Sequence, residues 1–306
     1  MGRRSTPRTT HRDQGLWAAL ALPGTAWLLV LFVVPFYAVI AVAFGRPRPG
    51  ERAARPIWNP LRWQATAFTS VLHRVFGGAL GQVFVRTFSY VVITIVLCFL
   101  IGYPVAYYAA RKAKRSRGLV LLLLVLPFWI SYLMRMLAWV NLLQRDGYVN
   151  RFLQWIHLLG APRNWLTGDP ITVVLGLVYG YIPFFILPLY AALERIDGRY
   201  LEAARDLGAG PGAAFWKVTW PLSRQGCLAA GVITVLPMFG DYYTNGYLSG
   251  SPKTEMIGNQ ITFYLQGSSQ PQTGASLVLV LSVLLVVLMG YYLVSTSRAA
   301  RSMVAK

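Results

Sequence analysis

Long apolar runs, separated by short charged segments, dominate this chain of 306 residues. A bilayer core about 30 Å thick needs roughly 20 apolar residues in a helix, and six runs reach about that length. They predict transmembrane helices at 16–44, 87–110, 118–140, 170–193, 225–248 and 274–297. Strands of a membrane barrel would alternate polar and apolar residues, and the run VLVLSVLLVVLMG does not. The sequence therefore predicts an all-α integral membrane protein with six transmembrane helices.

The composition supports a membrane protein over a soluble one. Hydrophobic residues make up 56% of the chain and charged residues 13%, about half the share in an average soluble protein. The net charge of +19 would also suit nucleic-acid binding, but the basic residues lie in short clusters beside apolar runs. We therefore expect membrane lipid, and not nucleic acid, as the surroundings. The two cysteines and three histidines form no cluster, so no metal or cofactor is expected on this chain.

The distribution of Lys and Arg predicts the orientation. Six helices place both termini on one side of the membrane, together with residues 111–117 and 194–224. This side carries 17 of the 29 Lys and Arg residues and is cytoplasmic by the positive-inside rule. The prediction is a multi-pass domain over 14–297 between two cytoplasmic tails, 1–13 and 298–306.

The charged segment between the fourth and fifth predicted helices predicts two short helices with a break between them. Asp197 can cap the first helix, Gly208 suits the left-handed residue that ends it, and Pro211 can begin the second. Phe215 gives the second helix an apolar face, and Pro221 is expected to stop it. Such a unit could rest on lipid headgroups or dock on a protein partner, and the physics favours neither.

The same segment resembles the EAA loop of permease subunits of ATP-binding-cassette importers. The family pattern is E-A-A, three residues, G, nine residues, I, one residue, L-P. The chain keeps every spacing, with Val218 in place of Ile and Trp220 in place of Leu. The resemblance implies a coupling loop over 194–224 that docks on an ATP-binding subunit. It implies an ATPase-coupling role for Glu202, Ala203, Ala204, Asp206, Gly208, Phe215 and Pro221.

The resemblance also implies partners and a location. It implies a transport subunit of a bacterial inner membrane, without catalytic residues. The implied partners are a second homologous permease subunit, two ATP-binding subunits and an extracytoplasmic solute-binding protein. The chain contains no Gly-Lys pair and so no P-loop for ATP phosphates. ATP and Mg are therefore expected on the ATP-binding subunits.

Two further stretches, LVLPFWISYLMRMLAW and FGDYYTNGYLSGSPKTEMIGNQI, resemble the spermidine/putrescine-type permeases. They contain the two ionisable residues inside predicted spans, Arg135 and Asp241. Charged side chains are costly within a membrane and are candidates for function. A carboxylate beside aromatic rings suits an organic cation such as a polyamine. The predicted substrate pathway consists of Asp241, Tyr242, Tyr243, Arg135, Trp129 and Tyr132.

Other interpretations stay open at this point. Asp241 and Arg135 could neutralise each other, or Arg135 could face an anionic substrate. The importer could carry another solute, such as a sugar or glycerol phosphate. An ion-coupled secondary carrier would need several intramembrane carboxylates or an inverted repeat, and the sequence shows neither. A membrane-embedded enzyme would need a cluster of His, Cys, Asp or Glu, which is also missing from the sequence.

Overall fold

The structure is a computed structural model of the chain, and it describes residues 11–46, 55–113, 116–267 and 270–304. These residues form helices and connecting segments, with no β-strand among them. The α-helices are α1 His11–Ala43, α2 Thr66–Gly77, α3 Ala79–Arg111, α4 Arg117–Val125, α5 Tyr132–Leu143, α6 Tyr148–Trp155, α7 Pro170–Glu194, α8 Gly198–Asp206, α9 Pro211–Ala214, α10 Trp220–Met238, α11 Tyr243–Leu248, α12 Ile257–Thr262 and α13 Pro271–Val304. Short 3₁₀ turns lie at Pro60–Arg62 and Leu126–Trp129, and π turns lie at Phe215–Thr219 and Phe263–Gly267.

Four helices within the described residues are long and apolar enough to cross a membrane. They are Leu20–Ala43 within α1, all of α3, all of α7, and Pro271–Thr296 within α13. A bent pair, made by α4 with its 3₁₀ turn and by α5, is apolar enough to form a fifth crossing. The six-span count therefore stays a prediction. Both terminal helices extend into the predicted tails, of which residues 1–10 and 305–306 lie outside the described part.

The predicted third span, 118–140, is broken in the structure, and its two parts meet at an angle of 92°. Pro127 lies in the first turn of the 3₁₀ segment, and the backbone becomes extended at Ile130. The Ser131 side chain then caps α5 by accepting a 3.3 Å hydrogen bond from the Met134 backbone N–H. The cap gives α5 its own start and its own direction.

The predicted fifth span, 225–248, is also broken. Helix α10 ends at Met238, and the chain turns through Gly240 and Asp241 before α11 begins. Helix α12 packs closely on this turn, since a Cβ atom on Gly258 would lie 2.5 Å from the Asp241 carbonyl oxygen. Asp241 therefore lies at a helix break and not in the middle of a helix.

Helix α7 lies at the centre of the fold, packed against α3 on one side and α10 on the other. Small residues allow both approaches: Gly102 of α3 faces Phe185, and Gly226 of α10 faces Ala192. Helix α7 contributes to two apolar cores, through Leu177 in one and through Phe185 in the other. It therefore fixes the positions of the shorter helices that surround Asp241.

Candidate functional site

The Asp241 side chain is the centre of a buried polar site and is only 5% exposed. Its Oδ2 atom accepts hydrogen bonds from the hydroxyl groups of Tyr132 at 3.0 Å, Tyr181 at 3.0 Å and Thr244 at 2.7 Å. Its Oδ1 atom accepts a 2.9 Å hydrogen bond from the Thr244 backbone N–H. All these donors are neutral, and none of the ion pairs found among the described residues includes Asp241. The carboxylate is hydrogen-bonded, but no cation of the described chain forms an ion pair with it.

Three separate elements supply the partners of Asp241. Tyr132 comes from α5 after the bend, Tyr181 comes from α7, and Thr244 lies in the first turn of α11. Two glycines of α7 allow Tyr132 and Thr244 to pack closely against this helix. A Cβ atom on Gly180 would lie 2.7 Å from the Tyr132 ring and hydroxyl, and one on Gly176 would lie 2.7 Å from Thr244 Cγ2. The site thus requires glycine on the face of α7 that it contacts.

Arg135 lies close to the site but does not pair with Asp241. It is 7% exposed, and its Cζ atom lies 5.1 Å from the ring centroid of Tyr132, 5.8 Å from Phe128 and 6.0 Å from Tyr179. No described acidic residue forms an ion pair with it, and its Nε and Nη1 atoms have no hydrogen-bond partner within the described chain. Cation–π contacts therefore stabilise this guanidinium group.

A row of tyrosine rings leads from the buried carboxylate toward the surface. The rings of Tyr242 and Tyr243 stack with centroids 4.2 Å apart, and the Tyr243 and Tyr247 rings are nearly parallel at 6.3 Å. Tyr243 also lies 6.2 Å from the ring of Tyr132. Trp129, by contrast, is 79% exposed and has no ring contact within the described chain. The structure thus brings five of the six predicted pathway residues together and leaves Trp129 outside.

The charged segment forms the two-helix unit α8–α9. The Asp197 side chain accepts a 3.0 Å hydrogen bond from the Arg199 backbone N–H and caps α8. Gly208 follows α8 in the left-handed region, at φ +79°, and Pro211 begins α9. Four more of the predicted coupling residues lie on α8, where Glu202, Ala203 and Asp206 are exposed and Ala204 is half-buried.

Phe215 anchors this unit on α3. Its ring makes edge-to-face contacts with Tyr103 and Tyr107, each at a centroid distance of 5.7 Å. At the other end of the unit, the Arg111 guanidinium of α3 donates a 2.8 Å hydrogen bond to the Ile196 carbonyl. The contacts at both ends make α3 the support for the unit.

The prediction that Pro221 stops the second helix is wrong. The chain stays helical from Pro211 to Met238, through α9, the π turn and α10. In the π turn the Trp220 backbone N–H bonds the Phe215 carbonyl, five residues earlier, so the helix widens just before the proline. Pro221 then lies in the first turn of α10, where its missing N–H costs little. The unit and the helix that leads to Asp241 are therefore continuous.

Comparison with known proteins assigns the family. The model of the family described as binding-protein-dependent transport system inner membrane component matches residues 99–300. The chain belongs to this family. It is therefore a multi-pass permease subunit of an inner membrane and not an enzyme, and ATP is hydrolysed on separate subunits of such transporters.

Curated relatives match over most of the permease. The spermidine/putrescine transport system permease protein PotB of Haemophilus influenzae is 34% identical over 267 residues, which are 87% of this chain and 89% of the relative. The PotB protein of Escherichia coli is 33% identical over 220 residues, which are 72% of this chain and 78% of the relative.

Solved structures of ABC transporters share the fold. A bacterial alginate ABC transporter, in complex with an alginate pentasaccharide-bound periplasmic protein, aligns with a TM-score of 0.70 and 19% identity. The alignment covers 92% of the permease and 93% of that chain. A second structure of a bacterial alginate importer aligns with a TM-score of 0.59 and 17% identity. These likenesses show the helical permease fold.

Several residues that shape the permease site were missed by sequence reasoning. Tyr181 and Thr244 donate directly to Asp241, yet each is a single polar residue in an apolar or mixed run. Asn259 supports the turn by donating a 2.9 Å hydrogen bond to the Tyr242 carbonyl. Next to α8 and α9, Leu207 is 88% exposed and Trp216 is 64% exposed, and neither was among the predicted coupling residues. The available signal for Tyr181 was the neighbouring Gly180 in the stretch YGY at 179–181, because a small residue on a membrane helix marks a place where another element can pack closely.

Proposed function

We propose that this permease subunit carries spermidine and putrescine into the cell. The observation that supports this most strongly is the Asp241 carboxylate, which is buried and holds hydrogen bonds from neutral groups only. A buried negative charge attracts a cation strongly, because little water is present to screen it. The PotB relatives are named for spermidine/putrescine transport, and both polyamines are cations of this kind.

The surroundings of Asp241 suit an alkyl ammonium ion better than a metal ion. Tyrosine faces, including those of Tyr242 and Tyr243, attract organic cations and pack against methylene groups. No cluster of three or more His, Cys, Asp or Glu side chains that could hold a metal ion occurs in the described part of the chain. A polyamine offers both an ammonium group for the carboxylate and a hydrocarbon chain for the rings.

The subunit acts as half of a translocation pathway. In this proposal a second homologous permease supplies the other half, and a solute-binding protein outside the membrane delivers the cargo. Both termini and the α8–α9 unit face the cytoplasm. Two ATP-binding subunits, which carry ATP and Mg, dock on the α8–α9 unit. The exposed side chains of Glu202, Leu207 and Trp216 suit such a docking surface, because they combine charge with apolar area.

The continuous helix from α9 to α10 supports a mechanical link in this proposal. A displacement of α9 by the ATP-binding subunit is carried along α10 to the turn that holds Asp241. The carboxylate is anchored on α5 and α7, so a movement of α10 and α11 changes the number of its hydrogen bonds. Binding and release of the cation would then follow the ATPase cycle.

The test of this function is uptake of labelled spermidine, putrescine and a labelled sugar in cells with and without the chain. We expect uptake of both polyamines to disappear with the chain and sugar uptake to stay unchanged. Loss of sugar uptake with intact polyamine uptake would reassign the cargo. Polyamine transport by the purified chain alone in liposomes, without an ATPase, would instead indicate a secondary carrier.

A further inference from the structure

Arg135 is a second buried charge, and the proposed function does not use it. Its guanidinium group cannot lose its proton in a protein, so it stays positive at any physiological pH. It is 7% exposed, and two of its nitrogen atoms, Nε and Nη1, have no partner within the described chain. An unpaired charge at this depth lowers stability, and a residue kept at such a cost is a candidate for function.

The position of Arg135 relates it to the cation site through one side chain. The Arg135 Cζ atom lies 5.1 Å from the Tyr132 ring centroid, and the hydroxyl of the same ring donates to Asp241 at 3.0 Å. Tyr132 thus contacts both the guanidinium group and the carboxylate. A cation that binds to Asp241 enters the field of a fixed positive charge, which the surrounding protein screens weakly.

We propose that Arg135 is a positioning residue that weakens the binding of a polyamine at Asp241 and so promotes its release. This inference rests on the proposed function, since it requires a cationic cargo at Asp241. A transporter must release its cargo, and a buried carboxylate without an opposing charge would hold a cation too tightly for rapid turnover. Arg135 opposes that attraction without covering the carboxylate, because the aromatic rings of Phe128, Tyr132 and Tyr179 hold its guanidinium away from Asp241.

Because of this repulsion, the effect of Arg135 on affinity is expected to depend on the number of charges on the cargo. Repulsion between two like charges about 10 Å apart, at an effective dielectric constant of about 20, weakens the binding of a cation roughly tenfold. Spermidine carries three ammonium groups and putrescine carries two, so the repulsion opposes spermidine more. Replacement of Arg135 by a neutral residue is therefore expected to tighten the binding of both polyamines, and that of spermidine by the larger factor.

The experiment is equilibrium binding of labelled spermidine and putrescine to the assembled transporter in lipid nanodiscs. The variants are Arg135→Met and Arg135→Gln, which remove the charge, and Arg135→Lys, which keeps it. The matched control is Arg86→Met on α3, because the Arg86 guanidinium donates to the Pro252 carbonyl, away from Asp241. We expect roughly tenfold tighter spermidine binding in both neutral variants, a smaller gain for putrescine, and near wild-type binding in Arg135→Lys and Arg86→Met.

The same assay separates failure of this inference from failure of the proposed function. Unchanged or weaker polyamine binding in the two neutral variants would overturn the inference. So would a failure of both neutral variants to assemble while Arg135→Lys assembles, because Arg135 would then be a structural cation. In both cases, loss of polyamine binding in Asp241→Asn would still support Asp241 as the cation site. Normal binding in Asp241→Asn would instead refute the proposed site itself.

Discussion

The hydroxyl group of Tyr181, in the middle of α7, donates a 3.0 Å hydrogen bond to Oδ2 of Asp241, in the turn that ends α10. The two residues are 60 positions apart in the sequence. Helix α7 packs against both α3 and α10, so this bond ties the proposed cation site to the centre of the fold. The carboxylate is hydrogen-bonded to α7, while the turn that carries it follows α10, which continues from the α8–α9 unit.

Replacement of Tyr181 by Phe removes one of the three hydroxyl donors to Asp241 Oδ2 and leaves the ring in place. When a buried charged acceptor loses a hydrogen-bond donor, the site is destabilised by about 1–3 kcal/mol. We therefore expect polyamine uptake to fall several-fold in vesicles, with normal assembly in the membrane. The control is Tyr108→Phe on α3, since Tyr108 is 54% exposed and takes no part in the site. Equal uptake in the two variants would contradict the role of Tyr181.

Replacement of Gly180 by Ala places a methyl group 2.7 Å from the Tyr132 hydroxyl and ring. Tyr132 must then move, and its hydrogen bond to Asp241 is lost or lengthened. We expect reduced polyamine uptake from a complex that still assembles. Gly231→Ala on α10 is the matched control, because a Cβ atom there meets no other atom within 4 Å. If Gly180→Ala transports as well as Gly231→Ala does, the close approach of Tyr132 is not needed.

Replacement of Gly208 by Ala tests the break between α8 and α9, in the proposed coupling loop. Gly208 has φ +79° and nothing within 4 Å of an added Cβ atom, so the change acts on the backbone alone, at a cost of about 1–2 kcal/mol. Gly210→Ala is the matched control, since its site is equally open and its φ of −65° suits alanine. We expect lower ATPase stimulation by cargo-loaded binding protein in Gly208→Ala only. The same stimulation in both variants would show that the break does not need its left-handed residue.

Replacement of Phe215 by Ala removes the ring that contacts Tyr103 and Tyr107 on α3. Two aromatic pairs of this kind contribute about 1–3 kcal/mol. We expect the ATP-binding subunits still to copurify, because the exposed surface of α8 is unchanged, while cargo uptake per ATP hydrolysed decreases. Phe215→Tyr keeps the ring and is expected to restore much of the coupling. A wild-type ratio of uptake to ATP hydrolysis in Phe215→Ala would contradict the anchoring role of this ring.

The helical class and the two-helix structure of the α8–α9 unit could be predicted from local sequence signals. Asp197, Gly208 and Pro211 each act through their own backbone or the next turn, so their roles follow from residue type and spacing. The prediction for Pro221 was wrong because its local signal is ambiguous. A proline in the first turn of a helix and a proline after a helix look alike in sequence, and only the π turn before Pro221 distinguishes them.

The geometry of the candidate site could be predicted only in part. Asp241 and Arg135 stand out because charge is rare in apolar runs, and both lie in the buried region. Their relationship depends on the bend before α5 and on the turn after α10, which set where the two side chains point. Hydrophobic periodicity predicts neither the direction of the bend nor that of the turn. Tyr181 was missed for the same reason, since its partner lies on another helix.

The measurement that tests the central claim most directly is polyamine uptake by the reconstituted transporter with Asp241→Asn. Asparagine has nearly the same shape as aspartate and accepts hydrogen bonds, but it has no charge. We expect the Asp241→Asn complex to assemble with its partners and to take up neither spermidine nor putrescine, while Asp241→Glu retains measurable uptake. Wild-type uptake by an assembled Asp241→Asn complex would contradict the account, because the cation would then be recognised without this carboxylate.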